Sequence, residues 1–387
     1  MIMINRRTFA KHAGLAAAAA IVPGISAAHT SGEPRRIGFL MPLTGDSGKL
    51  GQMMLEGAAV GVEEVNAAAG AGGRPVELVQ EDSQALAQQG IAGFLKLVDV
   101  NKTNVIFTGW TAVVSAIAPL ATESKVMLLS ASTASPAVRG ISPYFQSTWM
   151  FDDETVKLIL PYAKDKLKVK SLAVLTVESD LGTALAQAVK ADWTRIGGAI
   201  AAEDVHQPGE TSFRPILLKM LGTKPDAIYL TSSNGKQLAQ IVRQAREIGY
   251  KGIFLSYGAF EDPEVLTLGA QANGCYYSSP SYDAANPGAA GRKFVDAFQK
   301  KYGRLPNVHQ ADHYDLVLLY TAVADGLAKQ NKPLTGASFR EYLTATIPQY
   351  QGAAGNYRFN YKDGSVLRSS IVKVVRDGKF TKLDNLV

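Results

Sequence analysis

Two histidines stand four residues apart in His309-Gln310-Ala311-Asp312-His313. On a helix, that spacing puts both imidazoles on one face, where they could bind a metal ion with Asp312 beside them. No third ligand can be picked out, and Asn307 reads as the N-cap of a helix that turns Tyr314, Leu316 and Val317 inward. The segment is therefore read as a polar helix start, with no metal and no cofactor expected. The single cysteine, Cys275, lies in the apolar run Gly274-Cys275-Tyr276-Tyr277 and is expected to be a buried small hydrophobe. One cysteine supplies neither an intramolecular disulfide nor a Cys-rich metal site. His206 has no evident partner in the sequence. The stretch Gly45-Asp46-Ser47-Gly48-Lys49 is too short for a phosphate-binding loop and lacks the hydroxyl after the lysine. No Gly-x-Gly-x-x-Gly follows the first strand and no Gly-x-Ser-x-Gly elbow is present. The sequence holds no catalytic constellation, and an enzyme is not expected.

The elements that would position a site alternate regularly. Strands are predicted over 36–41, 76–80, 104–108 and 125–129, with helices over 50–69, 84–100 and 113–123 between them. A second series begins with a helix over 153–166. Strands follow at 171–177, 199–205, 227–231 and 252–256, separated by helices at 181–196, 212–221 and 236–248. Such alternation implies parallel sheets with helices on both faces. Residues 141–149 are too few and too apolar for a floppy linker, so an ordered crossover is expected between two lobes. Helices over 289–302, 309–328 and 337–346 and strands over 356–361 and 369–375 are expected to return and complete the lobes.

Length and charge bound the rest. The 387 residues are enough for two domains, and their 47% hydrophobic and 19% charged content is that of a globular chain. The opening Asn5-Arg6-Arg7-Thr8-Phe9-Ala10-Lys11, the small and apolar run from Ala13 to Ile25, and Ser26-Ala27-Ala28 have the layout of a twin-arginine-like export signal cleaved after Ala28. The apolar run is well short of the ~20 residues a spanning helix needs. Removing residues 1–28 takes away three basic residues and no acid, which lowers the formal charge from +6 to +3 and leaves 359 residues. That charge is too small and too dispersed to indicate nucleic acid. A periplasmic, monomeric protein is expected.

One segment is more specific. The run from Met41 to Ala58, continuing through Val65-Asn66-Ala67, Gly72 to Leu78 and Glu81 to Gln84, closely resembles the opening of the periplasmic leucine/isoleucine/valine-binding protein family. Further matches run in order at Ser132–Pro136, Asp180–Gly182, Phe213–Leu217, Ile241–Gly249, Phe294–Pro306 and His313–Leu316. The resemblance implies two doubly wound α/β lobes of the type I periplasmic binding protein fold, joined by a multi-crossover hinge and closing on a small ligand. It places lobe 1 at 29–147 plus about 280–352, and lobe 2 at 148–279 plus about 353–387. It also implies a partnership with the permease subunits of an ABC importer. In amino-acid-binding members a hydroxyl and N–H groups at helix starts hold the ligand carboxylate. Those positions match Thr111 and the Ser132-Thr133-Ala134 turn. The acid that binds the ligand ammonium in those members is matched by Gly258, beside Tyr257, with Glu261 three residues on. Leu50, Leu181 and Ser233 stand where tyrosines are frequent, and Trp110 adds a flat surface beside the carboxylate donors. Gly109-Trp110-Thr111 is also similar to amide- and urea-binding members, and sensors are built on the same fold. The expected ligand is a carboxylate, either an amino acid or, given Gly258, an aromatic or aliphatic acid.

Overall fold

The computed structural model describes residues 32–386; the expected export signal at 1–28 lies outside them. The first lobe opens with β1 (Arg35–Met41), α1 (Gly48–Ala67), β2 (Val76–Asp82), α2 (Ala87–Leu95), β3 (Val105–Thr108), α3 (Thr111–Ser124), β4 (Met127–Ser130) and β5 (Phe145–Ser147). These five strands form one parallel sheet in the order β2-β1-β3-β4-β5. β3 and β4 are buried at every position, as a sheet covered on both faces requires. α2 runs on into a single wider turn over Lys96–Val100, so the expected helix over 84–100 forms in two pieces.

The second lobe follows with α4 (Asp152–Asp165), β6 (Ser171–Val177), α5 (Asp180–Arg195), β7 (Ala199–His206), α6 (Arg214–Leu221), β8 (Ala227–Leu230), α7 (Gly235–Glu247), β9 (Ile253–Ser256), α8 (Pro263–Leu266) and β10 (Cys275–Pro280). Cys275 is fully buried. The chain then returns to the first lobe through α9 (Ala289–Tyr302), α10 (Val308–Lys329) and α11 (Gly336–Thr346). α10 starts in a capping box between Asn307 and Gln310 and lies along α1. The two helices approach so closely that a Cβ on Gly57 would sit 2.0 Å from the Gln310 carbonyl oxygen. Only glycine permits that contact.

A three-stranded antiparallel sheet of β11 (Gln349–Gly352), β12 (Gly355–Asn360) and β13 (Ser365–Leu367) precedes β14 (Ser370–Arg376) and β15 (Lys379–Asn385). The last two strands add antiparallel to β10, making the seven-stranded order β15-β14-β10-β9-β8-β6-β7. The boundary near residue 353 is corrected here. Tyr357, Phe359 and Val366 are buried in the first lobe's core, so the chain enters the second lobe only at Ser370. Tyr357 is held there by α10, because its hydroxyl lies 2.6 Å from Asp312 Oδ1 and 2.7 Å from Asp315 Oδ2. The lobes are thus joined by three crossovers, after β5, after β10 and after β13. Among the described residues no helix is long and apolar enough to cross a membrane.

Candidate ligand-binding cleft

The order 2-1-3-4-5 occurs twice, first in β1–β5 and again in the parallel strands β6–β10. In such sheets the chain reverses direction across the sheet between the first and third strands, and ligands bind outside the carboxyl ends at that point. The candidate residues occupy those ends. Leu50 follows β1, Trp110 and Thr111 follow β3, and Ser132–Ala134 follow β4. From the other lobe, Leu181 follows β6, Ser233 follows β8, and Tyr257 and Gly258 follow β9. The two sets of ends face one another. Lys49 Nζ in α1 lies 3.7 Å from Glu264 Oε1 in α8, and α5 lies against α3 and the turn at 136–138.

One end of the cleft carries an uncapped helix start. Trp110 adopts φ 62° and ψ 130°, a sterically costly backbone for a bulky residue. It supplies no side-chain cap, and the first bond of α3 runs from Val114 N to the Trp110 carbonyl. The N–H groups of Thr111, Ala112 and Val113 therefore have no partner within the helix, and they sit at its positive dipole end. The β4 loop lies against this turn, since a Cβ on Gly109 would come 2.0 Å from Ser132 Oγ. Ser130 Oγ donates to Thr133 Oγ1 at 2.7 Å, fixing the buried Thr133 hydroxyl. Ser147 Oγ donates to the Trp149 carbonyl at 2.7 Å from beneath. The Ala134 carbonyl accepts from Asp152 N at 2.7 Å, tying the loop to the start of the second lobe.

The other end offers no acid at the expected place. A Cβ on Gly258 would meet Trp149 Cζ2 at 3.6 Å. Glu261, the candidate substitute, is already engaged: it pairs with Lys373, and its Oε2 accepts from Ser279 Oγ at 2.9 Å. Both partners of the ion pair are about nine-tenths buried, at 12% and 10% exposure.

A sequence model described as periplasmic binding protein matches residues 34–379. The chain belongs to the periplasmic binding protein family. Similar proteins include an amino acid binding protein of Pseudomonas aeruginosa, 27% identical over 236 residues, or 60% of this chain. The chain spans 62% of that relative's length. A leucine-binding protein from Thermotoga maritima superposes with a TM-score of 0.82 at 24% identity, covering 90% of this chain and 98% of that one. A solute-binding protein of an ABC transporter from R. palustris, in complex with benzoate, superposes with a TM-score of 0.81 at 18% identity, over 92% and 97% of the two chains. These likenesses show the type I fold, with two lobes and parallel sheets.

In this periplasmic binding protein three further residues line the junction of the lobes. Trp149, within the apolar crossover, stacks on His309 with centroids 4.8 Å apart and planes 10° from parallel. Burial holds the His309 imidazole down to about 4, so the ring is neutral near pH 7. Asp152 begins α4, is 1% exposed, and its Oδ2 has no protein partner among the described residues. Burial raises its carboxyl well above the usual range, and the neighbouring Asp153 adds to the effect. The nearby Tyr229 hydroxyl is likewise buried without a partner. Neither Trp149 nor Asp152 carries a local signal beyond its place at the end of the crossover. His309 is visible in sequence only as half of the histidine pair, and the fold engages the two rings separately. His313 packs edge-on to Phe39 at 6.1 Å and bonds through Nδ1 to the His309 carbonyl at 2.8 Å. No cluster of three metal-ligating side chains occurs among the described residues.

Proposed function

We propose that this periplasmic binding protein is the exported solute receptor of an ABC importer, cleaved near Ala28 and acting as a monomer in the periplasm. Its ligand carries a carboxylate at one end and an uncharged, aromatic or aliphatic body. Thr111, the N–H groups beside it and the Ser132–Ala134 turn receive the carboxylate, while Trp110, Leu50, Leu181, Ser233, Tyr257 and Gly258 enclose the body. The observation that carries this reading is the pairing of Glu261 with Lys373 opposite an open helix N-terminus. A ligand ammonium at Gly258 would be buried without a counter-charge, which is costly. The fold, shared with leucine-binding and benzoate-bound proteins alike, supports the receptor reading. No chemical step is required: contacts from both lobes favour the closed form by their difference in affinity for the two states, and the permease reads that form.

The partnerless Oδ2 of Asp152 favours a second reading, in which an amino acid directs its ammonium there. A thermal-shift panel of benzoates, fatty acids, leucine and valine separates the two. The expected outcome is stabilisation by aromatic acids, about 2.7 kcal/mol at a hundredfold excess over Kd. Stabilisation by leucine or valine alone would refute the aromatic-acid version and favour Asp152 as the ammonium partner.

A further inference from the structure

The wall beside Gly258 has more hydrogen-bonding capacity than the protein uses. Trp149 Cζ2 lies 3.6 Å from the Cβ position of Gly258, and the Ser278 carbonyl lies 3.9 Å from it. The His309 ring stacks on this indole, with centroids 4.8 Å apart. His309 Nδ1 and Ser278 Oγ are both buried and have no protein partner among the described residues, and Ser278 is 1% exposed. Stacking on Trp149 would be served as well by phenylalanine. A buried ring nitrogen left unbonded costs about 1–3 kcal/mol, so the imidazole is matched to a partner that the protein alone does not supply.

The charges around this wall are already matched. Lys373 pairs with Glu261, and Arg368 pairs with Asp312 at 2.7 Å. A further cation or anion would enter without a counter-ion, whereas an uncharged donor or acceptor would not. We propose that the Trp149–His309 stack determines specificity for the distal end of the ligand, and that its imidazole takes an uncharged hydrogen-bonding substituent such as a ring hydroxyl. The inference rests on the carboxylate-ligand reading above and names the group at the opposite end of that ligand.

Titration calorimetry with benzoate and para-hydroxybenzoate, on the full mature chain and on His309→Phe, tests it. The wild type is expected to prefer the hydroxylated acid, and the variant to lose about tenfold of that ratio, the equivalent of one hydrogen bond. An unchanged ratio in His309→Phe overturns this inference and leaves the aromatic-acid receptor standing. A wild type that binds neither acid removes the aromatic-acid reading and this inference with it. A measurement without substitution guards against a misfolded variant: the His309 ring nitrogens should shift in NMR spectra on adding para-hydroxybenzoate, and not on adding benzoate. Equal shifts with both acids would count against the hydroxyl contact.

Discussion

Arg368 grips Asp312 at 2.7 Å, with the two side chains at 1% and 0% exposure. The same guanidinium donates to the Thr148 carbonyl at 3.2 Å and the Ala354 carbonyl at 2.9 Å, and it lies over the Tyr357 ring at 4.5 Å. One side chain thereby ties the first crossover, the third crossover and α10 together. Removing one member of a buried pair leaves the other charge without compensation, so Arg368→Ala should cost about 3–5 kcal/mol in urea unfolding. Asp312→Asn in the Arg368→Ala background should recover part of that loss, because the stranded carboxylate is gone. A double variant less stable than Arg368→Ala would refute the ion-pair account.

The proposed carboxylate-binding turn depends on the missing side chain at Gly109. A methyl group there would collide with Ser132 Oγ at 2.0 Å and crowd Met41 Sδ at 3.2 Å. Gly109→Ala should weaken carboxylate binding by tenfold or more, about 1.4 kcal/mol, while leaving cooperative unfolding intact. Calorimetry paired with a melting curve separates the two effects.

Acid should weaken the fold through two poorly solvated histidines, the fully buried His313 and the half-buried His309. Burial holds His313 down to about 3 and His309 to about 4, against about 6.5 for an unfolded chain. Below about pH 6.5 the unfolded state takes up protons that the folded state refuses, so this stability is full above 6.5 and is lost as pH falls through the folded values. Asp315 acts oppositely. Burial pushes its carboxyl up to about 7, so its contribution is present below about pH 4 and is lost as pH rises through 7. Asp152 and Asp312 are raised as well. These acids cancel when wild type is compared with His313→Leu. Urea midpoints should fall more steeply for the wild type than for the variant between about pH 6.5 and 4.

Across the mouth of the cleft, Lys49 and Glu264 keep 66% and 34% of their side chains exposed. Such a pair contributes about 0–1 kcal/mol and is screened by salt. Lys49→Glu should raise the ligand Kd less than about tenfold, with the effect fading at high ionic strength. A loss that persists in high salt would mean that Lys49 touches the ligand.

Most parallel strands of the two lobes were legible in sequence because they are short apolar runs between helical periods, as in β3, β4, β6, β8 and β9, whereas β5, β11, β13 and β15 were not legible as strands. Thr111 and Ser132–Ala134 became candidates through the family resemblance, and the alternation accounts only for their lying just beyond strand ends. Periodicity carries no information on which core receives a late strand. β12 turns Tyr357 and Phe359 inward and exposes Asn356, Arg358 and Asn360. That pattern announces a buried face without naming the helix that covers it. The pairing of Glu261 with Lys373 spans 112 residues, and Trp149 and Arg368 lie in crossovers with no period at all. Spatial pairing decides these roles, and one sequence does not display it.

The three crossovers have a consequence for how the chain acquires its structure. α10 is seated on α1 by bonds such as Tyr314 to Glu64, 250 residues apart, and β10 is flanked on its outer side only once β14 arrives. Neither lobe can be completed from its own first stretch of chain. Contacts of this sequence separation must meet the entropy of closing long loops before they return any stability, which slows folding and prolongs exposure of strand edges. Until residues 370–385 dock, β10 presents an open edge to other chains. Aggregation during refolding should therefore be governed by the last strands to arrive, although the proposed ligand-binding residues lie elsewhere.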